Sequence, residues 1–83
     1  MPPPRSSFHL AFGRAIREIR HQRGISQEEL ALRADVQRSY LGGIERGERN
    51  PSLANIVKIA QTLEVSPSEI LRRAESELHR RGD

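Results

Sequence analysis

The sequence predicts an all-α protein, a compact five-helix bundle, and three observations support this. Apolar residues recur every three or four positions along most of the 83-residue chain. No run shows the alternation of apolar and polar residues that a half-buried strand requires. Short polar segments with helix-start and helix-stop residues separate the apolar runs. The chain has room for one small domain, and a second, effector-sensing domain is not expected.

The two ends of the chain differ in composition from its centre. Residues 1–7, with three prolines and two serines, are predicted to form a flexible N-terminal arm. Residues 8–80 form the predicted domain, including a C-terminal fifth helix, and residues 81–83 are predicted to be a disordered tail.

The first two predicted helices have clear start and stop signals. The first spans residues 8–23 and ends at Gly24, because glycine readily adopts the left-handed conformation that stops a helix. The second spans residues 27–34, since Ser26 and Glu29 have the spacing of a capping box.

The third predicted helix follows a sharp turn. Asp35 tolerates the left-handed conformation that such a turn needs. The helix then spans about residues 38–46, with Leu41 and Ile44 on its inner face, and ends at Gly47.

The fourth and fifth helices begin with similar signals. Ser52 is the predicted N-cap of the fourth helix, and Ser66 followed by Pro67 starts the fifth. The predicted inner face of the fourth helix consists of Leu53, Ile56, Ile59, Ala60 and Leu63. The apolar stripe of the fifth helix consists of Ile70, Leu71, Ala74 and Leu78.

Composition restricts the possible partners and location. The net charge is +3, and Lys58 is the only lysine among fourteen basic residues. Arginine suits bidentate contacts to phosphate and guanine, although the same composition also fits an ordinary solvated surface. No cysteine is present, and no apolar run approaches the roughly 20 residues of a membrane span. We therefore expect a cytoplasmic protein without a membrane partner.

The second and third predicted helices have the dimensions of a helix-turn-helix. Around them the chain resembles the Cro and phage-repressor (XRE-type) family, through "SQEELA", "IERGERNPSL" and "IAQTLEVS" in that family's order. The resemblance covers about residues 10–71, and "RSYLGGIERGERN" looks most similar to small single-domain regulators such as restriction-modification controller proteins. It implies a lambda-repressor-like domain that regulates transcription by binding double-stranded DNA, with the third helix in the major groove.

The resemblance assigns base reading to the opening of the third helix. Gln37, Arg38 and Ser39 match that opening. Their chemistry agrees, because arginine pairs with guanine, glutamine with adenine, and serine with either kind of base edge. The alternative is that they are solvated polar residues on an exposed helix.

Two adjacent glycines, Gly42 and Gly43, interrupt the third helix, where each costs about 1 kcal/mol relative to alanine. A helical wheel built from Leu41 and Ile44 places Gly43 on the outward stripe with Ser39, and Gly42 on its flank. The absent side chains are predicted to let the helix approach the bases closely, which adds Gly43 to the base-reading set.

The resemblance also assigns contacts to the DNA backbone and one structural ion pair. The backbone contacts are assigned to Gln27, Tyr40, Arg46, Arg49 and Asn50. The pair joins Arg20 to Glu45 and is expected to be partly buried, although both could be surface charges of little energetic value.

Two positions depart from the family's pattern. Asp35 stands where many members have glycine, and Gln37 stands where a better N-cap such as serine is common. The second departure leaves two alternatives: the third helix is loosely started, or Gln37 is free to read a base.

A homodimer is expected, because one recognition helix reads only a few base pairs and half-sites roughly 34 Å apart suit a two-fold dimer. The predicted dimer interface is the stripe of the fifth helix, Ile70, Leu71, Ala74 and Leu78. The same stripe could instead close the domain's own core or bind a toxin. An antitoxin with secondary DNA binding is therefore the rival function.

Catalysis and metal binding are not expected. His9, His21 and His79 lack metal-ligand spacing. Gly42 and Gly47 have part of the P-loop spacing, but Glu48 follows where a P-loop has lysine. We therefore predict no enzymatic activity, no cofactor and no small-molecule effector.

Overall fold

Five helices make up the computed structural model, which describes residues 6–80. They are α1 (Ser7–Gln22), α2 (Gln27–Ala34), α3 (Arg38–Glu45), α4 (Leu53–Leu63) and α5 (Pro67–Arg80). The all-α prediction is confirmed, and residues 6–80 contain no strand. Ser7 already belongs to α1, so the predicted arm is too long at its C-terminal end. The remainder of that arm before Ser6, and the predicted tail at 81–83, lie outside the described residues.

Four of the five helices begin with a serine cap. In each, the serine hydroxyl accepts a hydrogen bond from the amide three residues later, at 3.0 to 3.2 Å. These serines are Ser6, Ser26, Ser52 and Ser66. A cap of this kind stabilises a helix by about 1 kcal/mol. α3 is different, because Gln37 at its N-cap forms no side-chain cap.

The first four helices end in the same backbone motif. In each, a residue in the left-handed conformation follows the helix, and its amide and the next amide bond back to carbonyls of the last turns. The left-handed residues are Gly24, Asp35, Gly47 and Glu64, with φ of 70°, 58°, 77° and 61°. The first three match the predicted stops. Glu64 was not predicted, because glutamate has no special preference for this conformation.

The core is formed mainly by large aliphatic side chains from all five helices. The largest fully buried ones are Ile16, Ile19, Leu30, Leu41, Ile44, Ile59, Leu63 and Ile70. Leu53, predicted on the inner face of α4, is 74% exposed, so that assignment is wrong. The spacing of the apolar residues is right, but Leu53 is the first residue of α4, where the chain is still at the surface. None of the described helices is long and apolar enough to cross a membrane.

Ionic contacts join α5 to α1 in addition to the apolar core. The Arg73 guanidinium donates to Glu69 Oε2 at 2.9 Å, Glu18 Oε1 at 3.0 Å and Gln22 Oε1 at 3.1 Å. Hydrogen bonds from Arg73, and then from Arg72, lower the pKa of Glu69 below its usual value. The contacts to Glu18 and Gln22 therefore hold α5 against α1.

The backbones of α1 and α3 approach each other closely at Gly13. A Cβ built on Gly13 would lie 2.5 Å from the carbonyl oxygen of Glu45 and closer still to that of Ile44. Because Gly13 lies in α1 and the two carbonyls at the end of α3, the helices can pack this closely only without a side chain there.

Candidate nucleic-acid interface

The opening turn of α3 is exposed, and its first side chains are available to bind a ligand. Gln37, Arg38 and Ser39 are all exposed, and none of their side chains forms a hydrogen bond within residues 6–80. Asp35, in the left-handed conformation, ends α2 just before them, so the three side chains lie at the start of α3. The structure therefore brings together the three side chains that the resemblance assigned to base reading.

Tyr40 connects α3 to α4. Its side chain is half-buried, and its hydroxyl accepts a hydrogen bond from Asn55 Nδ2 at 3.0 Å. Sequence reasoning missed Asn55, because the bond joins residues of two helices and no local pattern signals it. The hydroxyl keeps its own hydrogen for a further acceptor, such as a phosphate oxygen.

The side chains assigned to the DNA backbone differ in their internal contacts. Gln27 is half-buried, and its amide donates to Glu45 Oε1 at 3.1 Å. Arg46 is exposed and its Nε pairs with Glu48 Oε1 at 3.1 Å. Asn50 Oδ1 lies 3.4 Å from the Nε2 atom of His9, at the start of the first helix. Of these three side chains, Gln27 is therefore the least exposed to solvent, and Arg46 and Asn50 are exposed.

The predicted pair of Arg20 and Glu45 is present and buried. Arg20 Nε lies 2.8 Å from Glu45 Oε2, and Arg20 Nη2 lies 3.0 Å from Oε1. Only 9% of the arginine side chain and 4% of the glutamate side chain are exposed. Arg20 also donates to the carbonyl of Ile25 at 3.1 Å. Since Glu45 Oε1 also accepts from Gln27, one carboxylate connects α1, α2 and α3.

The two glycines of α3 are covered rather than open. Gly43 is buried, and a Cβ built on it would lie 2.5 Å from the Cγ atom of Arg49. A Cβ on Gly42 would meet Arg46 Nη1 at 3.1 Å and Gln27 Oε1 at 3.4 Å. The prediction that Gly43 presents an open surface to the bases is therefore wrong. It fails because an arginine from the following loop lies across the outward face of the helix.

Most of the apolar stripe of α5 packs into the core of the domain. Ile70 and Ala74 are 0% exposed, so their assignment to a dimer interface is wrong. Leu78 is half-buried against the same core, whereas Leu71 is 40% exposed. Leu71 borders a shallow groove of about 180 Å³. The groove is lined by Phe8, His9, Phe12, Asn50, Pro51, Ile56 and Leu71.

Comparison with known proteins identifies the family. Residues 16–70 match the helix-turn-helix family. The chain belongs to this family. The matched segment runs from the middle of α1 to the first turn of α5, so it contains the pair α2 and α3 with its supporting helices.

Three relatives of this helix-turn-helix protein show what it is similar to. It is 45% identical to control protein C.BamHI of Bacillus amyloliquefaciens over 67 residues, which cover 80% of this chain and 83% of the relative. Its structure is similar to that of the restriction-modification controller protein C.AhdI from Aeromonas hydrophila. The identity there is 48%, the coverage 75% of this chain and 94% of the other, and the TM-score 0.74.

The third is the clp gene regulator ClgR from Corynebacterium glutamicum, with 26% identity, coverage of 95% of this chain and 84% of the other, and a TM-score of 0.88.

These comparisons confirm the predicted resemblance and fold, and also the prediction of a DNA-binding transcriptional regulator. None of these three relatives is described as an antitoxin.

Proposed function

We propose that this helix-turn-helix protein is a controller of transcription that binds a roughly palindromic operator as a homodimer. The observation that carries the proposal is the exposed first turn of α3, where the side chains of Gln37, Arg38 and Ser39 form no hydrogen bond within residues 6–80. In a helix-turn-helix this turn is the part that meets base edges in the major groove. A cytoplasmic location and the absence of enzymatic activity are part of the same proposal.

The remaining side chains are proposed to fix the register on the duplex. Tyr40 lies in the first turn of α3, and Arg46, Arg49 and Asn50 follow its last residue. All four side chains offer donors for phosphate oxygens. Gln27 uses one amide hydrogen for Glu45 and keeps the second for a phosphate. Because these contacts neutralise phosphates, binding should weaken steeply as the salt concentration rises.

Replacing Arg38 by alanine should weaken binding to the operator by about 1 to 3 kcal/mol and relax base preference at one position of each half-site. The physical reason is the loss of a bidentate contact to a base edge, which no neighbouring side chain replaces. Fluorescence anisotropy with a panel of single-base operator variants measures both effects.

Arg49→Ala is the matched control, since it removes an equal charge from the loop after α3. It should weaken binding to all sequences similarly. If Arg38→Ala leaves the base preference unchanged, Arg38 is not a base-reading residue.

The dimer surface is proposed to include Leu71 and the groove beside it. Leu71 and Phe8 are exposed apolar side chains on neighbouring helices, at a groove with apolar walls. Leu71 is the residue of the α5 stripe that remains exposed and so can contact a second copy of the chain. This proposal moves the interface from the buried stripe of α5 to its exposed flank.

A Leu71→Glu variant should shift the protein towards monomer and weaken binding to the full operator by about tenfold or more, because the second recognition helix is lost. Leu32→Glu is the control, since Leu32 is an exposed leucine on α2. Sedimentation velocity at tens of micromolar, with and without operator DNA, measures the assembly. A wild-type protein that stays monomeric under both conditions contradicts the proposal.

Regulation by concentration follows from coupled dimerisation and binding. As the protein accumulates, mass action favours the dimer and occupancy of the operator increases steeply. No ligand needs to bind for this response.

A further inference from the structure

We propose that Gly43 is a positioning residue: its missing side chain forms a seat for Arg49, and the seat directs the Arg49 guanidinium towards DNA phosphate beside α3. The inference rests on the proposed DNA-binding function and adds a mechanism to it. It also assigns a role to a residue that does not itself touch a base.

The end of α3 folds the chain back over the helix. The Gly47 amide bonds to the carbonyl of Ile44 at 3.0 Å, and the Glu48 amide bonds to the carbonyl of Gly43 at 2.8 Å. Gly47 itself has φ of 77°, which a glycine adopts without strain. Arg49 is the next residue after this reversal, so its backbone already lies beside the last turns of α3.

The stem of Arg49 occupies the space that a side chain at position 43 would fill. A Cβ on Gly43 would lie 2.5 Å from Arg49 Cγ, 3.5 Å from Cδ and 3.4 Å from Nε. The contact therefore involves the aliphatic stem along its length and not only its tip. Any residue other than glycine at position 43 must move Arg49 from this position.

The charge that the seat presents is available for a ligand. Arg49 is exposed, and within residues 6–80 its guanidinium forms no ion pair, whereas Arg46 is paired with Glu48. A free arginine loses rotamer freedom when it binds a phosphate, and a stem that is already packed loses less. The seat therefore raises affinity without adding a contact to DNA.

Gly42 provides a matched control on the same helix. The nearest atoms to a Cβ at position 42 are the flexible ends of Arg46 and Gln27, at 3.1 and 3.4 Å. These ends can move by a few tenths of an ångström without leaving their places. Alanine at position 42 should therefore leave Arg49 seated.

The test compares Gly43→Ala, Arg49→Ala, the double variant and Gly42→Ala for binding to an operator duplex across a salt series. Gly43→Ala should stay folded, bind about tenfold more weakly and lose about one unit of the salt slope, as Arg49→Ala does. The double variant should bind no more weakly than Arg49→Ala, because the two changes remove the same contact. Gly42→Ala should remain within about twofold of wild type.

Additive losses in the double variant would overturn the proposal, because Gly43 would then act on DNA independently of Arg49. Wild-type affinity in Gly43→Ala would overturn it as well. A second measurement needs no DNA: ¹⁵N relaxation of the arginine Nε–H groups should show Arg49 Nε ordered in wild type and mobile in Gly43→Ala. If Arg49 is ordered as expected but the protein binds no operator DNA, the proposed function is wrong, whereas the packing of Arg49 on Gly43 is still supported.

Discussion

A Glu45→Ala variant is expected to lose about 3 to 5 kcal/mol of stability against unfolding. The carboxylate accepts two hydrogen bonds from buried Arg20 and one from Gln27. Removing it leaves the arginine charge buried without its counter-ion, which costs more than the pair itself contributes. Urea denaturation followed by circular dichroism measures the loss.

Glu29→Ala is the control for the removal of a carboxylate. Glu29 pairs with Arg33 at 3.4 Å, but about half of each side chain is exposed to solvent, with 48% and 51% exposure. An exposed pair of this kind contributes roughly 0.5 kcal/mol. A loss below about 1 kcal/mol in Glu45→Ala would contradict the view that this carboxylate holds three helices together.

Alanine at position 13 is expected to destabilise the domain by about 3 kcal/mol, despite being the better helix former. The added methyl group would overlap the carbonyl oxygens of Ile44 and Glu45, which are backbone atoms at the end of α3. Relief requires α1 and α3 to separate, and that separation also lengthens the hydrogen bonds between Arg20 and Glu45. The same denaturation experiment measures the effect.

Gly42→Ala again supplies the comparison, since it is the same substitution in a helix. It meets only side-chain ends, so stability should be unchanged or should rise by up to about 1 kcal/mol. If Gly13→Ala proves as stable as wild type, the close packing of α1 on α3 is not a constraint on the fold.

Local signals explain why the helix boundaries could be predicted. The serine caps and the stops at Gly24, Asp35 and Gly47 depend on residues within one turn of each helix end, and the sequence displays them directly. Glu64 was not predicted because glutamate, unlike glycine, does not favour the left-handed conformation that it adopts after α4.

Contacts between distant segments explain what could not be predicted. The covering of Gly43 depends on the chain reversal at Gly47, and the need for glycine at position 13 depends on how closely two helices approach. A helical wheel gives only the direction of a face and not what lies over it. The pairing of Arg20 with Glu45 was expected only because of the family resemblance, since the spacing between them carries no signal.

The left-handed helix ends at Asp35 and Glu64 have a consequence for evolution. Each places a side chain where glycine would relieve about 1 kcal/mol of backbone strain. Two single substitutions could therefore offset one or two average destabilising changes elsewhere, which cost about 1 kcal/mol each. Both positions lie outside the exposed first turn of α3, so the residues that we propose to read bases can change with the operator while the domain remains folded.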